Sequence, residues 1–135
     1  MYKLVKAAGV ISDETRLRML NLLLERECCV CEVMQILAIS LTRASRNLNM
    51  LYDAGFLKLR RKGRWAHYSL DRDNLDQYLS YLVKAVEIGL NGNKTAMQDR
   101  ERLKKSERLS PERLSSECCA SSVKTENQMS EAEKS

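Results

Sequence analysis

The chain has 135 residues, 44% of them apolar, and a formal net charge of +5. That length holds one domain and some spare chain. No apolar run approaches the ~20 residues of a bilayer-spanning helix, and the amino-terminal stretch lacks a signal peptide's apolar block and cleavage site, so a soluble cytoplasmic protein is expected.

Leu4, Val5, Ala8 and Val10 or Ile11 predict a short amphipathic helix that ends near Gly9. Ser12-Asp13-Glu14 then signals a helix start. Leu17, Leu20, Leu23 and Leu24 carry a core helix to about Arg26, with Arg16 and Arg18 on its other side. A third, short helix runs from Cys31 or Glu32 to Ala38, with Val33, Ile36 and Leu37 inward. Ile39-Ser40 is a turn, and Ser40 is a good N-cap for a fourth helix from Leu41 to Ala54, closed by Gly55. Ala44, Leu48 and Leu51 form its apolar side, leaving Thr42, Arg43, Ser45, Arg46 and Asn49 or Asn47 outward. Two helices joined by a tight turn, the second polar and basic, make a helix-turn-helix pattern.

Phe56-Leu57-Lys58-Leu59-Arg60 and Trp65-Ala66-His67-Tyr68-Ser69-Leu70 alternate as strands, and Arg61-Lys62-Gly63-Arg64 turns between them. This is a hairpin with a basic tip, a wing. Asp71-Arg72-Asp73 introduces the last long helix. Its broad apolar face, Leu75, Tyr78, Leu79, Leu82, Val83, Val86 and Leu90, suggests burial against a second subunit. The expected fold is mainly α with a small β-hairpin: a dimeric winged helix-turn-helix in the order α-α-α-α-β-β-α. Residues 1–92 form the DNA-binding and dimerisation domain. Residues 93–135 alternate charges and serines and read as a flexible charged tail carrying Cys118-Cys119.

Between Ser40 and Arg64 the chain carries Arg43, Arg46, Lys58, Arg60, Arg61, Lys62 and Arg64 against one acid, Asp53. Such a stripe on an otherwise mildly acidic body points to double-stranded DNA. The residues expected at that interface are Ser40, Thr42, Arg43, Ser45, Arg46 and Asn49 of the fourth helix, with Arg60, Lys62 and Arg64 of the wing.

Five cysteines fall in two tight groups, and there is a single histidine. A disulfide framework is not indicated, nor is a site of several imidazoles; metal or redox work is. Cys29 and Cys31 are two residues apart, ~200° around a regular helix, so they share one ion only where the backbone is not helical. Thiols near a helix N-terminus are expected to have stabilised thiolates. Met19, Met34 and Met50 read as core, Trp65 as wing core, and His67 as a hairpin residue. No βαβ scaffold, phosphate loop or base near the thiols supports an enzyme.

Four segments carry a resemblance. They are Asp13-Glu14-Thr15-Arg16-Leu17, Glu27-Cys28-Cys29-Val30-Cys31-Glu32-Val33, Ser45-Arg46-Asn47-Leu48 with Met50-Leu51, and Gly63-Arg64-Trp65-Ala66-His67-Tyr68. In order and spacing, over about residues 4–90, they resemble the ArsR/SmtB winged-helix repressors, and within them the arsenic-responsive branch. The resemblance implies a homodimer that leaves its operator when As(III) or Sb(III) binds as inducer, with no catalytic cofactor. It places two arsenic ligands on Cys29 and Cys31. Where some members carry a third cysteine this chain has Met34, so Cys28, Cys118 and Cys119 are the available replacements, Cys28 being favoured. Residues 74–90 hold no histidine for the zinc site of other branches. The alternative is a thiol redox-responsive or Cd/Zn/Pb-responsive regulator of the same fold.

Overall fold

The computed structural model describes residues 1–107. Its elements are α1 (Tyr2–Ile11), α2 (Glu14–Glu25), β1 (Cys28–Cys29), α3 (Val30–Leu37), α4 (Leu41–Asp53), β2 (Leu57–Lys62), β3 (Trp65–Leu70), α5 (Gln77–Gly89) and α6 (Lys94–Glu107).

Gly9 does not end α1; the helix runs to Ile11, and the Ser12 hydroxyl donates to the Gly9 carbonyl at 2.7 Å. Ala7 and Val10 are its buried residues, while Leu4 and Val5, expected inward, are exposed. Asp13 caps α2 by accepting from the Arg16 N–H at 3.1 Å. Met19, Leu20, Leu22 and Leu23 of α2 then join Val33, Leu48, Leu51 and Phe56 in one core. Ala38, in the left-handed region at φ 55°, makes the tight turn between α3 and α4, and Ser40 caps α4 by accepting from the Arg43 N–H at 3.1 Å. This is the predicted helix-turn-helix.

The hairpin is present, with Gly63 at φ 64° opening its two-residue turn, a backbone that favours glycine. The sheet has a third strand that the sequence did not announce. Antiparallel order is β1-β3-β2, with Cys28 opposite Tyr68 and Cys29 opposite His67. Two residues carry no readable period, so only the pairing reveals β1.

Leu79, Val83 and Val86 of α5 are buried, and Leu75, Tyr78, Leu82 and Leu90 pack partly on the same core. The broad face predicted for a partner is thus used within the chain. Tyr81 and Ile88 of α5 are exposed instead.

Part of the segment read as a flexible tail is helical: α6 packs on α2 and α3. Its inner stripe is Ala96, Asp99, Leu103 and Ser106, a helical repeat interrupted by a carboxylate, which hid it from a hydropathy reading. Asp99 is fully buried and accepts from Arg18 Nε at 2.8 Å and Nη2 at 2.9 Å. Asn21, also buried, donates to the Ala96 carbonyl at 3.2 Å and accepts from Arg100 Nε at 2.9 Å. Cys118, Cys119 and the helix start expected at Ser110-Pro111-Glu112 lie outside the described residues. Among the described residues no helix is long and apolar enough to cross a membrane.

Candidate thiol site and nucleic-acid interface

Strand alternation separates the three clustered cysteines. Cys28, opposite Tyr68, points into the main core, and its Sγ lies 3.5 Å from the Arg26 carbonyl. Cys29 points the other way and meets Cys31 in a small separate cluster under Met34 and Trp65. The non-helical backbone that two sulfurs at this spacing require is present: Cys29 is the N-cap of α3, extended at φ −81° and ψ 157°. The two thiols are hydrogen-bonded to each other. They border a cleft of about 190 Å³ whose other walls include Ser45 of α4 and Arg64 and Trp65 of the wing.

Glu32 closes a capping box with sulfur in the place of the usual hydroxyl oxygen. Its N–H meets the Cys29 sulfur, and its carboxylate accepts the Cys29 N–H at 3.1 Å. The same carboxylate accepts from Arg26 Nη2 at 2.6 Å. The sequence carries this signal, since Cys29-x-x-Glu32 is a Ser-x-x-Glu box with sulfur substituted.

The expected stabilised thiolates are not found. Burial pushes the Cys28 thiol up to about 12, with the Glu32 charge adding to it. Cys29 is also raised, first by its hydrogen bond with Cys31 and then by burial; the Glu32 N–H pulls the other way and is outweighed. Both remain thiols at neutral pH. Among the described residues no group of three or more His, Cys, Asp or Glu side chains is placed to hold a metal ion. His67 stands apart, its Nδ1 3.9 Å from Glu27 Oε1.

On α4, Thr42, Arg43, Ser45, Arg46 and Asn49 are exposed, while Asn47 is buried with Ala44, Leu48 and Leu51. Asn47 accepts from Arg16 Nη1 at 2.9 Å and donates to the Arg43 carbonyl at 2.8 Å. Arg16, expected on the outer side of its helix, is therefore a brace between α2 and α4. Arg43 reaches back to the Thr15 hydroxyl at 3.2 Å. Lys62 and Arg64 flank the exposed wing tip, whereas Arg60 lies on the sheet against Glu27 at 2.6 Å.

Comparison with known proteins agrees with this architecture. Residues 13–58 match the family model described as bacterial regulatory protein, arsR family. The chain is 40% identical over 77 residues to the arsenic resistance transcriptional regulator ArsR1 of Pseudomonas putida, covering 56% of this chain and 59% of that one. It is 38% identical over 73 residues to a cadmium resistance transcriptional regulatory protein CadC homolog of Staphylococcus aureus, covering 53% and 60%. The match thus spans about three fifths of the length of each of these two relatives. With ArsR2 of Pseudomonas putida it shares 34% identity over 90 residues, covering 66% of this chain and 75% of the relative. In fold it is similar to a homodimeric winged helix-turn-helix DNA-binding domain from Mycobacterium bovis, with a TM-score of 0.56 at 23% identity over 68% of this chain and 82% of that one. The three relatives matched by sequence are named as transcriptional regulators. By sequence and by fold, this chain belongs to the arsR family of bacterial regulatory proteins.

Proposed function

We propose that this chain represses transcription in the cytoplasm by holding operator DNA as a homodimer, and that capture of As(III) or Sb(III) by Cys29 and Cys31 releases it. One observation carries the reading. The thiol pair sits at the joint where β1, the wing strand β3 and the start of α3 meet, beside Ser45 and Arg64. An ion bound by both sulfurs changes the bonding of the one that caps α3, in the residue that also pairs β1 with β3. Both the helix that supports α4 and the wing then shift relative to DNA.

The chemistry of the thiols favours a metalloid over a divalent cation. Neutral As(OH)₃ reacts with two thiols to give a dithiolate-bound arsenic hydroxide and two waters, with no net proton release. Cd(II) must first displace a proton from each thiol, and that of Cys29 is held above its ordinary range, a cost of about 1.4 kcal/mol per tenfold suppression. Cadmium is the second reading, supported by the similarity to the CadC homolog. It predicts binding that strengthens steeply with pH, whereas arsenite binding stays nearly flat through neutrality.

A third sulfur completes the trigonal pyramid that As(III) prefers. Cys28 meets it only if β1 leaves β3, because its thiol is on the core face. Cys118 and Cys119, the other candidates for the third sulfur, lie outside the described residues. Dimerisation is assigned to α1 and α5, which pack together and leave Leu4, Val5, Tyr81 and Ile88 exposed. A two-fold axis there sets recognition helices about one DNA turn, ~34 Å, apart on an inverted repeat.

The test is an arsenite titration of the reduced protein on operator DNA, read by gel shift. Release under reducing conditions supports the metalloid reading. Release only by oxidant marks a redox sensor, and release only by Cd(II), with the steep pH dependence, marks the cadmium reading.

A further inference from the structure

Helix α1 ends in carbonyls that its own backbone leaves unpaired, and its last turn holds no basic residue. Arg16, from the first turn of α2, supplies a donor: its Nε donates to the Val10 carbonyl at 2.5 Å. A cation there also suits the negative end of the helix dipole. The same guanidinium reaches the other way. Its Nη1 donates to Asn47 Oδ1 at 2.9 Å and lies 3.6 Å from Met50 Sδ, both on α4. Asn47 is buried, and its amide donates in turn to the Arg43 carbonyl at 2.8 Å. The Arg16 side chain is only 16% exposed, so its donors are aimed inward and not at DNA.

One planar group therefore joins three helices. Apolar packing between them is non-directional, whereas a guanidinium presents its donors in a fixed fork. The end of α1 and the middle of α4 are tied to one plane. Under the proposed function these two helices have different duties. α1 carries the exposed Leu4 and Val5 assigned to the subunit contact, and α4 carries the exposed Thr42, Ser45, Arg46 and Asn49 assigned to the groove.

We propose that Arg16 is a positioning residue for operator recognition: it fixes the angle between the dimer helix and the recognition helix, and thereby the half-site spacing that the dimer accepts. The proposal rests on the reading of this chain as a dimer on an inverted repeat. Geometry gives its sign. One added base pair moves a half-site by about 3.4 Å and turns it by about 34°. A rigid dimer cannot follow that turn and loses base contacts in one half-site. A dimer whose recognition helices swivel on α1 follows it better, so loosening the joint broadens the spacing tolerated.

The experiment uses the full chain, reduced and free of metalloid, to select duplexes from a random library. The selected inverted repeat is then made with one base pair added to or removed from its centre. Affinities are read by gel shift at one fixed salt concentration, with a random-sequence duplex alongside. The native chain is expected to lose about a hundredfold on either altered spacing. Arg16→Lys keeps the charge but not the fork, and Asn47→Ala removes the acceptor on α4 while leaving the bond to Val10. Both are expected to lose only about tenfold on the altered spacings and to bind the selected repeat several-fold more weakly than the native chain. Both are expected to bind random-sequence DNA as the native chain does, because phosphate contacts carry no sequence information. A residue that merely supported the fold would weaken binding to every duplex by the same factor and leave the native spacing penalty in place. That result, in either variant with native helix content, overturns the positioning role and leaves the dimeric operator reading standing. Failure of the native chain to select an inverted repeat overturns both.

Discussion

Cys28 and Cys29 are neighbours in the chain and opposites in the fold. One faces Tyr68 in the main core; the other is buried on the opposite face, in a small separate cluster with Cys31, Met34 and Trp65. The alternation of a two-residue strand makes that difference. A run of cysteines is thus not a pool of interchangeable ligands. One member packs in the main core, and the next, on the opposite face, caps α3 and meets Cys31.

The largest effect that would break this comparison is on response. Cys29→Ser and Cys31→Ser should each retain operator binding and lose arsenite release by at least about a hundredfold, since hydroxyl oxygen is a poor partner for a soft ion. Serine is also a good N-cap, so Cys29→Ser should fold at least as well as the native chain. Loss of operator binding in that variant would show that its thiol is structural.

Cys28→Ser should do the converse. It buries a hydroxyl in an apolar site and should cost about 1–3 kcal/mol in a denaturant melt, with arsenite release intact. If release fails in a folded Cys28→Ser protein, Cys28 is the third ligand and β1 must unzip during capture.

Alkali separates core from surface in another way. Burial raises the Cys28 thiol from its ordinary 9.0 to about 12. Its contribution to stability is then fully present below pH 9 and is lost as pH rises towards 12, because the unfolded chain ionises first. That amounts to about 1 kcal/mol by pH 10. A chain carrying Cys28→Ala should show a shallower decline over the same range in a chemical-denaturation series.

The smallest effects are on the wing. Lys62→Ala or Arg64→Ala should weaken binding to all DNA sequences a few-fold and flatten the salt dependence by about one unit each. Arg60→Ala should have less effect on the salt slope, because its guanidinium is already paired with Glu27. An Arg60 effect equal to that of Arg64 would mean that the pair opens on DNA.

Much of this fold is legible in the sequence. The period of Ala44, Leu48 and Leu51, the Ser40 cap and the alternation after Phe56 are strong local signals, and they gave the helix-turn-helix and the wing. What escaped was long-range or too short. The Arg18–Asp99 pair joins residues that sequence gives no reason to connect, so α6 read as a charged tail. Asn47 passes for an outward polar residue until Arg16 is found beside it. For the thiols, the spacing posed the right condition, a break in helical backbone, and only the extended Cys29 answered it. The protonation state differs from the sequence expectation because helix-end stabilisation is visible in a sequence, whereas burial and the neighbouring thiol are not.

The sulfur that caps α3 also bears on how such a chain changes over generations. Cysteine codons become serine codons by a single base change, and at position 29 that change gives the helix a better start. The variant that has lost its signal is then the sturdier protein. If the proposed function holds, selection for folding alone would drift this chain towards one that never lets go of DNA, and the weaker cap persists only where the signal is used.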